Sequence, residues 1–341
     1  MSLTKMRRET KTKLARVFAG FLAAAMAIGV LAVAVSAEPM YTNELTGEPI
    51  SASIQMQRPV AVMVDNDERA LPHFGTADAD IVYEMVNSTA NNRITRLMCV
   101  YKNWGNIGAI GNIRSTRPTN VMLSEEYDAA LIHDGGPFYI NPYLKNPAAT
   151  SFSGNFSRVN NGKAVEFTEY ALAGDIANRF AATKTRSTYR AVAAPHFRFA
   201  PYGQPVVYPG SAVANAVSIP FPHNGTQLVY NASTGLYDYY EYGKLYRDAD
   251  GKTMSFKNVF LQKTDLVQLD QNGYCIYNCI AQNQAGLYLT GGRAVPVYWS
   301  KMSESDKTRF YDATLQELVV SAGKSYIALV PSDSWEQVVF Q

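Results

Sequence analysis

Five consecutive apolar residues, Val60-Ala61-Val62-Met63-Val64, run straight into Asp65-Asn66-Asp67. A run this short, with no polar alternation, reads as a strand covered on both faces and closed by turn-forming residues. Such a strand needs a layer on each side of its sheet, which limits the chain to layered architectures. Ala129-Ala130-Leu131-Ile132-His133 repeats the pattern and ends in Asp134-Gly135-Gly136-Pro137. Asp80 to Val86, Ile94 to Tyr101 and Ile107 to Ile113 read as three more strands. Pro118 suits the first turn of a helix running to about Tyr127. Residues 166–183 are expected to be the clearest helix, with Thr168 as N-cap and Ala171, Leu172, Ile176, Ala177 and Phe180 near a helical period. Strands mixed with helices give an α/β (or α+β) N-terminal domain with a mixed sheet over residues 58–214, after a polar linker at 38–57.

From about Asn215 the pattern changes to short strands. Tyrosines alternate in Leu236-Tyr237-Asp238-Tyr239-Tyr240-Glu241-Tyr242, and Asp250-Gly251 is a turn signal. Residues 215–341 are therefore expected to form a smaller β-rich domain, with at most a brief helix near Ser303 to Phe310.

The N-terminus has the layout of an export signal. Lys5, Arg7, Arg8, Lys11, Lys13 and Arg16 precede an uncharged, alanine-rich run from Val17 to Val35, and Val35-Ser36-Ala37 offers a small-residue cleavage site. An uncleaved anchor is the rival reading, because the run approaches spanning length. The expected location is secreted or cell-surface, with membrane contact only through this segment if it stays attached. Of 31 Lys+Arg and 29 Asp+Glu, six basic residues and one acidic residue fall in 1–37, leaving 25 and 28 in the remaining 304 residues. That balance gives no basic face for nucleic acid.

Three cysteines, Cys99, Cys275 and Cys279, do not make a disulfide framework. Cys275 and Cys279 sit four apart in an apparent strand, roughly 13 Å at about 3.3 Å per residue. A disulfide needs α-carbons within about 7 Å. Buried thiols are the expectation.

An ordered set of short segments resembles a known family. Arg58-Pro59-Val60-Ala61-Val62-Met63, Ala79-Asp80-Ile81-Val82-Tyr83-Glu84 and Ile94-Thr95-Arg96 come first. Ile107-Gly108, Ile113-Arg114-Ser115, His133 with Gly135-Gly136, and Ala194-Pro195-His196 follow. Lys257-Asn258-Val259, Trp299-Ser300-Lys301 and Ala328-Leu329-Val330-Pro331 complete it. Together these are similar to the YerB-like envelope lipoproteins of Gram-positive bacteria, defined by a domain of unknown function. The resemblance implies two domains and an envelope location. The chain departs from it at Asn87 to Asn92, where a glycine-rich acidic segment is expected, at Asn112 in place of proline, and at Phe197 in place of asparagine. No lipid-bearing cysteine stands near the cleavage point.

Four constellations can carry chemistry. Arg114 and Arg117 flank Ser115 on a strand-to-helix turn, and with Arg96 they can clamp a phosphate, a pyrophosphate or a polymer carboxylate, since guanidinium forks give paired, charge-assisted hydrogen bonds. The structural alternative pairs these arginines with Asp80, Glu84 or Asp134. Asp65 and Asp80 can hold Mg²⁺ or Ca²⁺, or simply cap turns. His133 can serve as general base with Asp134 as a second acid and Asp80 in support, beside Gly135 and Gly136, where backbone lets a ligand approach. His196 is its candidate partner. The tyrosines at 237–242 can stack on sugars or pair across strands. The expected partner is a cell-wall or membrane-linked anionic glycopolymer or its precursor. The alternatives are a metal-dependent phosphotransferase or hydrolase acting on lipid-pyrophosphate-linked glycopolymer, which the order of Asp80, arginine motif and double glycine resembles in the LytR-CpsA-Psr enzymes, and a non-catalytic interaction module.

Overall fold

A computed structural model describes residues 41–341. The export segment expected at Lys5 to Ala37 lies outside the described residues. The apolar runs become strands as expected. β1 (Val60–Asp65), β2 (Ile81–Val86) and β3 (Thr95–Tyr101) are buried at every position. β4 (Ala109–Gly111) is short, and α1 (Pro118–Glu125) begins at the proline. β5 (Ala130–His133) and β6 (Thr150–Ser153) follow.

Three elements differ from expectation. Residues 41–57 are not a loose linker: Asn43, Glu44, Leu45 and Thr46 are buried, and the Asn43 amide donates to Asp80 at 2.9 Å. The long helix over 166–183 breaks in two. Val165–Phe167 is a single 3-10 turn, and β8 (Glu169–Leu172) pairs with both β4 and β7 (Ser157–Arg158). Gly174 then turns left-handed (φ 89°) to start α2 (Asp175–Ala182). The spacing of Ile176 and Phe180 is helical, while Ala171 is buried on a strand, so one apolar pattern served two elements. No helix forms at Ser303 to Phe310, where Arg309–Tyr311 is a strand instead.

The C-terminal half supplies β9 (Ala212–Val213), β10 (Ala216–Ser218), β11 (Gln227–Asn231), β12 (Leu236–Glu241), β13 (Lys244–Leu245), β14 (Ser255–Phe256) and β15 (Asn258–Thr264). β16 (Ala281–Thr290), β17 (Arg293–Lys301), β18 (Arg309–Tyr311), β19 (Ser325–Pro331) and β20 (Val339–Phe340) follow, and Leu266–Gln268, Cys275–Tyr277 and Val319–Val320 are short strands outside the two large sheets. An eleven-stranded mixed sheet runs β9-β17-β16-β15-β19-β2-β3-β1-β5-β6, with β18 added on β17. The join between the halves is β19, which lies parallel to β15 on one side and to β2 on the other. A six-stranded sheet (β13-β12-β11-β10-β20, with β14 on β12) carries the tyrosine alternation. Tyr237 and Tyr239 are fully buried, Tyr237 faces Tyr230 across the ladder, and Tyr240 is half-buried. Those two tyrosines are core, as cross-strand pairing requires. Cys99, Cys275 and Cys279 are free and buried.

Candidate functional site

The arginine site is built where β1 and β3 meet. Their antiparallel register sets Asp65 opposite Arg96. After β4, a bridge from Ile113 to Val64 and a hydrogen bond from the Arg114 amide to the Met63 carbonyl (2.9 Å) carry the chain past the end of β1. Arg114 therefore lands beside the same carboxylate. Asp65 accepts from Arg114 Nε at 2.6 Å and from Arg96 at 3.3 Å. Burial pushes this carboxyl up, but Arg96 and Arg114 together outweigh burial and hold it at about 2. Arg114 also reaches Glu166 at 2.9 Å and lies over the Phe167 ring.

Ser115 is the centre of the cluster. Its hydroxyl oxygen accepts from Arg96 at 3.1 Å and from Arg117 at 3.3 Å. Arg117 closes the turn as the residue preceding α1, and its amide donates to Asn120 Oδ1 at 3.1 Å. Its guanidinium is buried, stacked 4.7 Å from the Tyr274 ring, and donates to the carbonyls of Asn87 (3.0 Å) and Thr116 (2.8 Å). Each of these acceptors is neutral, and among the described residues Arg117 forms no ion pair. Burial, then repulsion from Arg96, pulls Arg117 down to about 10. Arg96 is also lowered by burial, and its Nε has no partner.

The His133 loop closes one wall. The Asp134 amide donates to the Arg114 carbonyl (3.0 Å) and the Thr116 amide to the Gly135 carbonyl (3.1 Å). His133 Nδ1 sits 2.7 Å from the Gly135 carbonyl, which can only accept, so Nδ1 carries the proton and Nε2 accepts from the Ser151 hydroxyl at 2.7 Å. Burial lowers the histidine and favours its neutral form. Asp134 is tied to Arg158 at 3.1 Å, which also pairs with the buried Glu169 at 2.8 Å. Gly135 and Gly136 are exposed, Gly135 at φ 71°, and together with the partly exposed Arg114 they form the solvent-facing rim.

Asp80 and His196 do not join this group. Asp80 precedes β2 at the opposite end of the sheet, five strand positions from Arg96, or roughly 17 Å. There it accepts from the Lys102 amide (2.6 Å) and from Asn43, and burial pushes it up to about 6. Asp65 and Asp80 therefore cannot share a Mg²⁺ or Ca²⁺ ion. Among the described residues no group of three or more His, Cys, Asp or Glu is placed to hold a metal. Nor can Asp80 support His133 in proton transfer. His196 is buried against Tyr127, with ring centroids 4.2 Å apart. Four partners escaped the sequence reading: Asn87, Glu166, Tyr274 and Ser151. Ser151 left no trace, since it lies beside Thr150 and Ser153 on an edge strand where only Phe152 is buried.

The chain matches the family described as "Protein of unknown function (DUF3048) N-terminal domain" over residues 45–187 and the corresponding C-terminal domain over 217–327. It belongs to the DUF3048 family. It is 33% identical over 110 residues to "Putative lipoprotein YerB" of Bacillus subtilis, a match covering 32% of each chain. That alignment thus spans about a third of the relative's length. The crystal structure of the YerB protein from Bacillus subtilis superposes with a TM-score of 0.75 at 21% identity, covering 88% of this chain and 99% of that one. The likeness establishes a shared two-domain fold. Asn112, where the resemblance leads one to expect proline, follows a cis Gly111–Asn112 peptide in this DUF3048 protein. Phe197, the other departure, is buried and stacked on Phe260 at 5.3 Å.

Proposed function

We propose that this protein is exported and binds an anionic component of the cell envelope, a phosphate- or carboxylate-bearing glycopolymer or precursor, through Arg96, Arg114, Ser115 and Arg117. The observation that carries this reading is the charge count at Ser115. Arg96 and Arg117 meet at its hydroxyl and Arg114 shares Asp65 with Arg96; of these three guanidiniums Asp65 serves two, Glu166 serves one, and Arg117 is buried with neutral acceptors alone. A buried charge without a counter-ion is costly, and an anionic ligand would compensate it. Arg114, Gly135 and Gly136 at the rim give such a ligand an approach. The envelope location is supported by the basic and apolar residues of 1–37 and by the word lipoprotein in the relative's name. Among the described residues no helix is long and apolar enough to cross a membrane.

The test is thermal stability against phosphate, pyrophosphate and a prenyl pyrophosphate, each with and without Mg²⁺, for the parent and for Arg114→Ala/Arg117→Ala. A ligand at a hundred times its Kd adds about 2.7 kcal/mol, or several degrees at roughly 2–4 °C per kcal/mol. A shift in the parent alone is expected. No shift in the parent, or equal shifts in both, overturns the clamp.

A further inference from the structure

In the C-terminal half, a cavity of about 220 Å³ opens where the outer strands of the eleven-stranded sheet meet the six-stranded one. The first sheet contributes Tyr288, Arg293 and Val295, and the second contributes Tyr230. Lys257 joins them from the link between β14 and β15. Residues 205–208 form the remaining wall. That wall is pinned at two points: the Val206 amide donates to the Ser321 hydroxyl at 2.9 Å, and the Tyr208 hydroxyl donates to the Val319 carbonyl. The Tyr208 ring stands edge-on to Tyr288, with centroids 5.9 Å apart.

Two cations line this cavity and both are reachable, since Arg293 is exposed and Lys257 half-buried. No acidic residue lines it, and neither cation forms an ion pair among the described residues. Arg293 is aimed by Ser211, whose hydroxyl accepts from Nε at 3.1 Å and whose carbonyl accepts from Nη2, which leaves Nη1 without a partner. Lys257 Nζ meets only the Gly235 carbonyl, at 3.3 Å. Its stem is seated on Gly323 (φ 141°), where a Cβ would stand 2.6 Å from Lys257 Cβ. Two unpaired cations with spare donors select a ligand that carries negative charge and accepts hydrogen bonds, as a carboxylate or a phosphate does. The rest of the lining selects the other end of that ligand. Val206, Tyr208, Tyr230 and Val295 present apolar and aromatic surface, which a bare inorganic anion would leave uncovered. An apolar cavity of about 150 Å³ holds a benzene ring, so this one has room for a ring with its anionic substituent.

We propose that this cavity binds a small aromatic anion, its carboxylate or phosphate on Lys257 and Arg293 and its ring against Tyr208 and Tyr230. The site shares no residue with the arginine clamp and does not depend on it. The probes are benzoate, phenyl phosphate and the neutral benzamide, titrated calorimetrically into the full chain to millimolar concentration. The variants are Lys257→Met, which keeps the stem on Gly323 but removes the charge, Arg293→Met, and Arg114→Ala/Arg117→Ala. At least one of the two anions is expected to bind the parent, and at least tenfold more tightly than benzamide (about 1.4 kcal/mol by the affinity relation). The tighter of the two identifies the head group. Each methionine variant is expected to weaken that binding severalfold, and the double arginine variant to leave it unchanged. If Lys257→Met does not fold, Arg293→Met decides, because its side chain is exposed. Absence of binding by both anions, benzamide binding as tightly as they do, or affinity unchanged in the methionine variants each overturns the proposal. Loss in the double arginine variant alone would place the anion at Ser115 and overturns it too.

Discussion

Two charged regions of this molecule solve opposite problems. At Ser115 three arginines crowd together with too few carboxylates. Between the two large sheets, Glu84 is fully buried with no cation beside it. Six side chains donate to Glu84 instead: Asn66 (3.1 Å), Thr95 (2.8 Å), Asn224 (2.8 Å), Thr226 (2.9 Å), Tyr239 (2.9 Å) and Tyr326 (2.7 Å). Asn66 and Thr95 belong to the first half of the chain and the other four to the second, so this carboxylate stitches the family's two domains together. The acidic region is closed and saturated by neutral donors, which is how a structural charge is buried. The arginine region is open at Arg114 and undercompensated at Arg117, an imbalance of the kind tolerated at functional sites.

If that contrast holds, the largest loss comes from Glu84→Gln. The substitution keeps the shape but turns one acceptor into a donor facing hydroxyl and amide donors. Hydrogen bonds to a charged group are worth about 1.5–3 kcal/mol each, so a loss of about 3–5 kcal/mol is expected in urea unfolding. A loss below about 1 kcal/mol would mean that the network is not a stability element. Asp65→Asn is next. It leaves Arg96 and Arg114 without their shared carboxylate, and removal of one partner of a buried pair costs about 3–5 kcal/mol. The loss here is expected at the lower bound, about 3 kcal/mol, because Arg114 is partly exposed and keeps Glu166.

Glu241 sharpens the comparison through pH. It is buried beside Glu84, shares the Asn224 amide with it, and is pushed up to about 8 from an ordinary 4.5, first by burial and then by Glu84. The folded state therefore holds this proton more tightly than the unfolded chain. The stabilising contribution is complete below about 4.5 and is lost as pH rises through about 8. At about 1.36 kcal/mol per unit, that amounts to a few kcal/mol. Urea midpoints of the parent should fall across this window, and Glu241→Gln should flatten the fall. An unchanged slope in the variant would place the proton elsewhere.

The strands were legible because runs such as Val60 to Val64 are apolar on both faces, and that signal is local. The convergence of Arg96, Arg114 and Arg117 was half legible: Arg114 and Arg117 share a turn, whereas Arg96 arrives only through the β1–β3 register. Asp80 and His196 were misplaced because sequence order does not say which end of a sheet a residue occupies. The segment 166–183 misled because Ala171, Leu172, Ile176 and Phe180 satisfy a helical period while Gly174 resets the chain between strand and helix. Tyr274 against Arg117 and Asn224 against Glu84 bring together distant parts of the chain, and no local pattern encodes them. The burial of residues 43–46 escapes a linker reading for a similar reason, since the burial of Glu44 makes sense only beside Lys102, which it meets at 2.8 Å.

The smallest effect on stability, and the most decisive, belongs to Arg117→Met. Methionine can follow the arginine stem against Tyr274, and it removes a buried charge that has no carboxylate. Replacing buried charge with apolar volume is often neutral or stabilising. The freed carbonyls of Asn87 and Thr116 oppose that gain at about 1 kcal/mol. Unliganded stability should therefore move by less than about 1 kcal/mol in either direction, while stabilisation by phosphate or pyrophosphate disappears. Asp65→Asn should do the reverse, lowering stability while leaving more free positive charge for the anion. If Arg117→Met instead unfolds the protein as severely as Glu84→Gln, Arg117 is a structural strut, and the two regions are variants of one solution to burying charge.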